Sequence, residues 1–391
     1  MGTIRFLTAG ESHGPALMAI LEGIPAGLPL LAADIDRELA RRQHGYGRGG
    51  RMKIEQDRVE ILSGVRHGRT LGSPIGMRIA NRDWENWRTA MAIEPVEGDA
   101  AARKQVTRPR PGHADLAGAL KYGTHDARDI LERASARETT ARVAVGAVCR
   151  TFLGAFAIEV RSHTVTLGTA GEEPGVERSW EAIGAAEGSA LRCADPELER
   201  RMIALIDAAK ASGDSIGGAF QVVARGVPPG LGSHRQWDSR LSARLMAALG
   251  SIPSIKAVAI GAGPEAAAAR GSEFHDPIEY DTAERRFRRP SNHAGGIEGG
   301  MSNGEEIRVR VEVKPLSTLP RALKSADLIT KEAFDAQVER TDVSAIAAAG
   351  VVGETMTAIV LADAFLEKFG GDSIPETARN HRGYLDALRA F

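Results

Sequence analysis

The sequence predicts an α+β fold in one large domain, residues 1–391, and three observations carry that reading. Strand-like and helix-like segments are short and do not alternate as regular βαβ units, which argues for separate layers rather than a doubly wound parallel sheet. No long linker rich in Ser, Gly or Pro divides the chain. A strand, Pro-Gly turn and helix pattern occurs twice. Residues 16–28 end in Gly23-Ile24-Pro25-Ala26-Gly27-Leu28, and residues 219–231 end in Gly226-Val227-Pro228-Pro229-Gly230-Leu231. Each stretch precedes a helical pattern, so two related halves sharing one core are expected.

Taken in order, residues 4–8 and 16–21 read as strands joined by the tight loop Gly10-Glu11-Ser12-His13-Gly14. Residues 34–42 form a helix with Ile35 and Leu39 on one face. Residues 59–62 and 75–79 are short strands, and residues 116–122 are helical. The next helix opens at Ser135-Ala136-Arg137-Glu138, a capping-box pattern in which Ser and Glu satisfy free N–H groups. Alternation of apolar and charged side chains over residues 307–313 predicts a half-buried strand. Residues 355–369 predict a strong helix near the end.

Composition excludes several classes. Hydrophobic residues make up 43% and charged residues 26%, so disordered, collagenous and disulfide-scaffold chains are not expected. The net charge of −1 gives no overall field for nucleic acid or membranes. Cys149 and Cys193 have no metal-type spacing and support no disulfide. The first residues lack a basic stretch followed by an apolar one. No segment reaches the roughly 18 unbroken apolar residues of a membrane span; Glu354 and Asp363 interrupt the nearest, residues 343–366. A soluble cytoplasmic chain is expected.

Basic residues are nevertheless clustered. Residues 41–53 carry Arg41, Arg42, Arg48, Arg51 and Lys53 among glycines and no acid, the pattern of a mobile basic loop. Residues 100–114 carry Arg103, Lys104, Arg108, Arg110 and His113, again without an acid; Arg285, Arg286, Arg288 and Arg289 form a third cluster. One such run is usually solvated surface. Three imply a partner with several negative charges, and arginine forks suit phosphate and carboxylate groups. RNA is the rival partner, but only Tyr46 is interleaved, so stacking platforms are missing.

Residues 256–260 read as a strand, and Gly261-Ala262-Gly263-Pro264-Glu265-Ala266 after it matches G-x-G-x-x-A, with Asp281 near a ribose-binding position. Pro264 and Gly271 leave room for no real helix, and no apolar strand precedes Asp281, so a dinucleotide unit is not expected. An ordinary pyridine-nucleotide oxidoreductase is the alternative this match leaves. His13 and His113 sit on Gly-flanked turns, and histidine moves protons near neutral pH. No His, Cys or acid cluster has metal-ligand spacing.

Together the motifs resemble the chorismate synthase family. They are Gly-Glu-Ser-His-Gly, Gly-Arg-Gly-Gly-Arg-Met in the first basic loop, Arg-Pro-Gly-His-Ala-Asp, Arg-Ala-Ser-Ala-Arg-Glu-Thr, Gly-Gly-Met-Ser-Asn-Gly, Lys-Pro-Leu-Ser-Thr and Arg-Thr-Asp-Val, in the family's order from residue 10 to beyond residue 360. The resemblance implies a β-α-β sandwich with pseudo-twofold internal similarity, usually a homotetramer. It implies anti-1,4-elimination of phosphate from 5-enolpyruvylshikimate 3-phosphate, giving chorismate. It also implies a need for reduced FMN with no net redox change, the flavin lending electron density as phosphate leaves. By match to the family's motifs, His13 and His113 are the general acids, one for flavin and one for the departing phosphate, in an order left open. Ser12 and Asp342 lie near flavin or substrate. Flavin contacts fall on Arg133, Ala134, Ser135, Gly299, Lys314, Pro315, Leu316, Ser317, Thr318 and Arg340. Ser135 as a helix N-cap fits this, because a helix start attracts phosphate. Pro253 and Ser254 occupy a further flavin position, where the family often has an amide side chain followed by Ala; Pro supplies neither that side chain nor an N–H. Arg42 and Arg48 match positions linked to NADPH and equally suit substrate. No added reductase domain is visible, so an outside flavin reductase is expected, with NADPH the candidate reductant.

Overall fold

The structure, a computed structural model, describes residues 4–49, 56–96, 104–173, 175–338 and 342–391. Strand β1 (Arg5–Ala9) pairs antiparallel with β2 (Ala16–Glu22), placing Leu7 opposite Ile20. The helix α1 (Ala32–Gln43) follows, then β3 (Val59–Ile61) and β4 (Ile75–Ala80). β4 pairs with both β2 and β3, giving the order β1-β2-β4-β3. In β2 the side chains of Leu17, Ala19 and Leu21 are buried while Met18 and Ile20 are exposed, the period-two pattern of a sheet with one covered face.

After β4 come α2 (Asp115–Tyr122), α3 (Arg128–Ala134) and α4 (Thr139–Gly154). The chain then enters a second sheet through β5 (Glu159–Leu167) and the short β6 (Ala170–Gly171). A surface helix α5 (Pro196–Ala211) leads to β7 (Gly218–Arg225), α6 (Leu241–Gly250), β8 (Ile255–Ile260) and β9 (Ile307–Val313). The order is β8-β9-β7-β5-β6, with antiparallel neighbours throughout. Last come α7 (Ile346–Phe369) and α8 (Ile374–Ala390).

The two sheets share one plan. In chain order, the four main strands of each half lie first, second, fourth, third, with a helix (α1 or α6) between the second and third. The paired turns match as well. Gly23 and Gly27 have φ of 98° and 88°, and Gly226 and Gly230 have φ of 82° and 87°. Left-handed backbone at these positions favours glycine, which explains why the repeat was visible in the sequence.

Between the sheets, α4 and α7 pack together at the centre of a core drawing on both halves, with Leu17, Val145, Phe220 and Phe365 all buried. Close approach requires glycine at two contacts. A Cβ on Gly146 would lie 2.2 Å from Thr355 Cβ, and one on Gly353 would lie 2.4 Å from the ring of Phe220. Thus α7 touches α4 on one side and β7 on the other, and the molecule is a β-α-β sandwich. By length and composition α7 could cross a membrane, but it is enclosed by protein, and Glu354 within it is fully buried.

Several sequence expectations change in detail. The predicted helix at residues 355–369 begins nine residues earlier, at Ile346, because Gly350 and Gly353 serve packing rather than breaking the helix. Ser135 does cap, accepting the Arg137 N–H at 3.3 Å, but it caps a 3-10 turn (Ala136–Glu138) ahead of α4. Glu138 pairs with Arg142 one turn on, so the reciprocal half of the capping box is not made. β9 alternates as expected, yet its outward Arg308 is only 6% exposed and pairs with Glu306. The Gly261-Ala262-Gly263 stretch leads into a 3-10 turn, and β8 is antiparallel to β9, so no βαβ unit exists there. A Cβ at Gly261 would meet His293 O at 2.1 Å, so packing alone demands that glycine.

Candidate active site

His13 lies on the hairpin loop between β1 and β2. Gly10 opens the loop at φ 104°, where a Cβ would meet Ala16 O at 2.4 Å. The buried Asn81 donates to Gly14 O at 2.9 Å and holds the loop's far side. Ser12, 2% exposed, donates its N–H to Glu132 O at 3.0 Å. His13 adds its own N–H to Glu132 Oε2 at 2.9 Å, and its Nδ1 is 2.9 Å from both carboxylate oxygens. The imidazole stacks on Trp87, centroids 3.7 Å apart and planes 23° apart. The ammonium of Lys104 lies 3.5 Å from the Trp87 ring centroid. Burial alone would raise the Glu132 carboxyl; His13 and the Arg128 guanidinium, 2.8 Å away, bring it below its usual value.

His113 follows Gly112, whose φ is 76°. Its Nδ1 is 2.5 Å from Oδ1 of Asp115, the fully buried first residue of α2. Arg110 donates to the same carboxylate through Nε at 2.8 Å, Nη2 at 3.1 Å and its backbone N–H at 3.0 Å. Burial would raise Asp115, but His113 and Arg110 outweigh it and hold the group well below the ordinary carboxylate range. Arg110 also donates to the Thr318 hydroxyl at 2.9 Å, tying this loop to residues 314–318.

That segment gathers several expected contacts. Lys314 donates its N–H to Ser254 O at 2.9 Å, so Pro253 and Ser254 adjoin it through a carbonyl rather than a side chain. Ser215 donates to Leu316 O at 2.7 Å and fixes the turn around Pro315. A Cβ on Gly112 would stand 3.6 Å from Ser317 Cβ and 3.9 Å from Lys314 Nζ, placing the His113 loop against both. Burial and the neighbouring Lys256 lower the Lys314 ammonium from its ordinary value.

One stretch connects the two histidine loops. Lys104 covers Trp87, Ala127 donates to Val106 O at 2.7 Å, and Leu328 donates to Thr107 O at 2.8 Å before the chain reaches Arg110. Residues 104–113 therefore run from the His13 side of α3 to residues 314–318.

The remaining expected residues divide. Arg133, at the end of α3, donates to Thr8 O, the Thr8 hydroxyl and Gly10 O, which places it with Ala134 and Ser135 beside the His13 loop. Arg48 pairs with Asp342 at 3.1 Å, and Gly49 donates its N–H to Asp342 at 2.6 Å. Arg42 is turned inward at 5% exposure, donating to the Thr139 hydroxyl and Ala136 O, both at 3.0 Å. Gly299 tips a hairpin (Ile297–Glu298 with Met301–Ser302) that meets the start of α6 through Leu241 N–H to Gly300 O, and no hydrogen bond among the described residues joins it to residues 314–318. Arg340, with Arg51, Lys53 and Arg103, falls outside the described residues. The third basic cluster is a surface hairpin whose Arg286 and Arg288 pair with Glu284 and Glu279, while Arg289 pairs with Glu298.

Sequence reasoning missed the acids. Asp115 was readable as the acid two residues after His113. Glu132 gave no local signal, because it stands 119 residues from His13.

Fold and site together define an α+β enzyme of β-α-β sandwich architecture. The family model for chorismate synthase matches residues 4–366. A chorismate synthase of Solibacter usitatus is 54% identical over 391 residues, covering 99% of this chain and all of that one. One from Salinispora tropica is 55% identical over 390 residues, covering 98% and 99%. A crystal structure of chorismate synthase superposes with a TM-score of 0.80 at 44% identity, covering 99% of each chain. The chain belongs to the chorismate synthase family, lyases of aromatic biosynthesis in the shikimate pathway.

Proposed function

We propose that this chain eliminates phosphate from 5-enolpyruvylshikimate 3-phosphate to give chorismate, using reduced FMN without net redox change. The observation that carries the reading is the pair of histidines, each on a loop and each backed by an ionised carboxylate, with residues 314–318 beside one of them. An acid–base pair of this kind suits a reaction in which a phosphate must be protonated as it leaves. The substrate's phosphate and two carboxylates, together with the flavin phosphate, call for cations, which Arg48, Arg133 and Lys314 supply between them.

The donor set at Lys314, Ser317 and Thr318 fits FMN. An ammonium and two hydroxyls on one turn suit a phosphate, and Gly112 and Ser254 bring backbone close by. These residues, with Pro315, Leu316, Arg133, Ala134 and Ser135, would hold it; Pro253, Gly299 and Arg340 are further contacts. Bound reduced flavin supplies transient electron density that no side chain here can offer. Ser12 and Asp342 complete the substrate side, Asp342 by steering Arg48. Arg42 serves from behind, holding the turn that follows Ser135. The active species on this reading is a cytoplasmic homotetramer supplied with reduced flavin by an outside reductase drawing on NADPH.

The test is anaerobic phosphate release from 5-enolpyruvylshikimate 3-phosphate with FMN oxidised or dithionite-reduced. Release only with reduced FMN, with chorismate formed and no flavin consumed, is expected. No release from folded protein under either condition would overturn the reading.

A further inference from the structure

We infer that Glu132 and Asp115 are positioning residues that fix a proton on Nδ1 of His13 and His113, so that both rings exchange protons with the site at Nε2. The inference rests on the reading of the two histidines as the acids of the proposed reaction.

The argument starts from what an imidazole nitrogen can do. Nδ1 is either a donor or an acceptor, and which it is depends on the partner. At His113 the partners conflict. Asp115 Oδ1 lies 2.5 Å from Nδ1 and can only accept, whereas Arg110 Nη2 lies 3.1 Å away and can only donate. A carboxylate oxygen facing a nitrogen lone pair at 2.5 Å would be strongly repulsive. The shorter contact decides, and Nδ1 carries the proton. Arg110 loses nothing, since it already donates to Asp115 and Thr318. At His13, Nδ1 is equidistant from both oxygens of Glu132, and the backbone N–H of His13 donates to the same carboxylate. Two acceptors around one nitrogen again require an Nδ1 proton.

Each carboxylate is also kept from taking that proton. Glu132 is held by Arg128 and Asp115 by Arg110, and both acids are almost wholly buried, at 2% and 0% exposure. A buried acid beside a fixed guanidinium remains ionised, so it orients and charges the ring without competing for its proton. The imidazole of His13 is constrained in a second direction. Glu132 lies in hydrogen-bonding reach of its edge and Trp87 covers a face, so neither tilt nor rotation is open to it. The two loops have unrelated sequences and reach the same arrangement, a histidine, an acid and an arginine, from different elements. Pairing for stability alone gives no reason for that coincidence, since Arg128–Glu132 and Arg110–Asp115 are complete without a histidine.

The experiment is long-range 1H–15N correlation spectroscopy on the full chain, with the His13 and His113 signals assigned by His13→Asn and His113→Asn. Recorded at a pH high enough to leave the rings neutral, the wild-type spectrum is expected to show the Nδ1–H tautomer; the proton that each ring gives as an acid is then the second one, carried at Nε2. Glu132→Gln and Asp115→Asn should shift each ring's population towards Nε2–H, and should lower kcat on the order of a hundredfold with KM for 5-enolpyruvylshikimate 3-phosphate little changed. A merely structural role would leave the tautomer unchanged. The Nε2–H tautomer in the wild type, or unaltered kcat in both folded variants, would overturn the assignment. If a variant does not fold, the wild-type spectrum still decides. Nδ1–H histidines in a protein that releases no phosphate would sink the functional reading and leave the tautomer assignment standing.

Discussion

Arg41 and Glu354 meet as a two-pronged ion pair inside the helical layer, Nη1 to Oε2 at 2.8 Å and Nη2 to Oε1 at 3.1 Å. Arg150 and Arg192 reach the same carboxylate, and the Ser162 hydroxyl donates to it at 2.8 Å. The hub joins α1 and α4 of the first half to β5 and α7. Burial would raise Glu354, but Arg41, Arg192 and Arg150 overcome it and hold the group far below its ordinary value. Removing the carboxylate takes away the acceptor that three guanidiniums share, leaving Arg41 and Arg192 on Glu187 and Arg41 and Arg150 on Glu38. Glu354→Leu is therefore expected to cost about 3–5 kcal/mol in reversible urea unfolding. A loss under about 1 kcal/mol would show that the arginines relax into solvent instead.

Acid sensitivity should begin at a histidine outside the site. His163 is 1% exposed, and burial, with nearby Arg308, Arg178 and Arg192, pushes it down to about 4 from 6.5, against one hydrogen bond to Gln221. The folded chain binds fewer protons than the unfolded one between those values. Stability is thus full above pH 6.5 and is lost as pH falls towards 4, by up to ~3 kcal/mol. The carboxylates held low, Asp115 and Glu354, contribute only at lower pH. Urea midpoints at pH 7.5 and pH 5 should separate in the wild type and separate less in His163→Gln.

The Arg48–Asp342 pair sets the first basic loop against the segment before α7. Asp342→Asn keeps an acceptor for the Gly49 N–H and removes the charge that steers Arg48. A drop in kcat/KM on the order of tenfold is expected, mostly in KM, since a charge-assisted contact is worth ~1.5–3 kcal/mol. An unchanged KM would place Arg48 outside the substrate site.

Gly217 lies under the turn proposed to hold FMN. A Cβ there would stand 2.5 Å from Val313 O and 2.9 Å from Pro315 N, so Gly217→Ala must displace Lys314 and Pro315. FMN titration followed by flavin fluorescence should show affinity reduced about tenfold or more, with far-UV circular dichroism retained. Equal affinity would move the flavin away from residues 314–318.

Strands and turns were legible in the sequence where one physical constraint acted locally. β2 showed its single covered face by alternation, and Gly23, Gly27, Gly226 and Gly230 showed the repeat because left-handed turns restrict residue choice. The histidine loops were visible for the same reason, as Gly-flanked segments. What lay hidden depends on chain brought together from afar. Glu132 looks like one more surface acid of α3 until the β1–β2 loop closes over it. Glu354 looks like an interruption of an apolar run until Arg41, Arg150 and Arg192 converge on it. The inward turn of Arg41 and Arg42 was equally unreadable, since a cluster of arginines among glycines resembles an exposed loop whichever way its members point.

The repeated strand order has a further consequence. Each half has the same slot between its first and second strands, and the halves fill it differently. In the first, the slot is a tight hairpin bearing Ser12 and His13. In the second, the chain runs from Leu167 to Gly218 by way of β6 and α5, spending the slot on a helical excursion. A duplicated scaffold of this kind divides labour: one connection carries residues proposed for the chemistry, while its counterpart forms a helical surface. The scaffold is nearly symmetric, the enzyme is not, and the asymmetry resides in the links between strands.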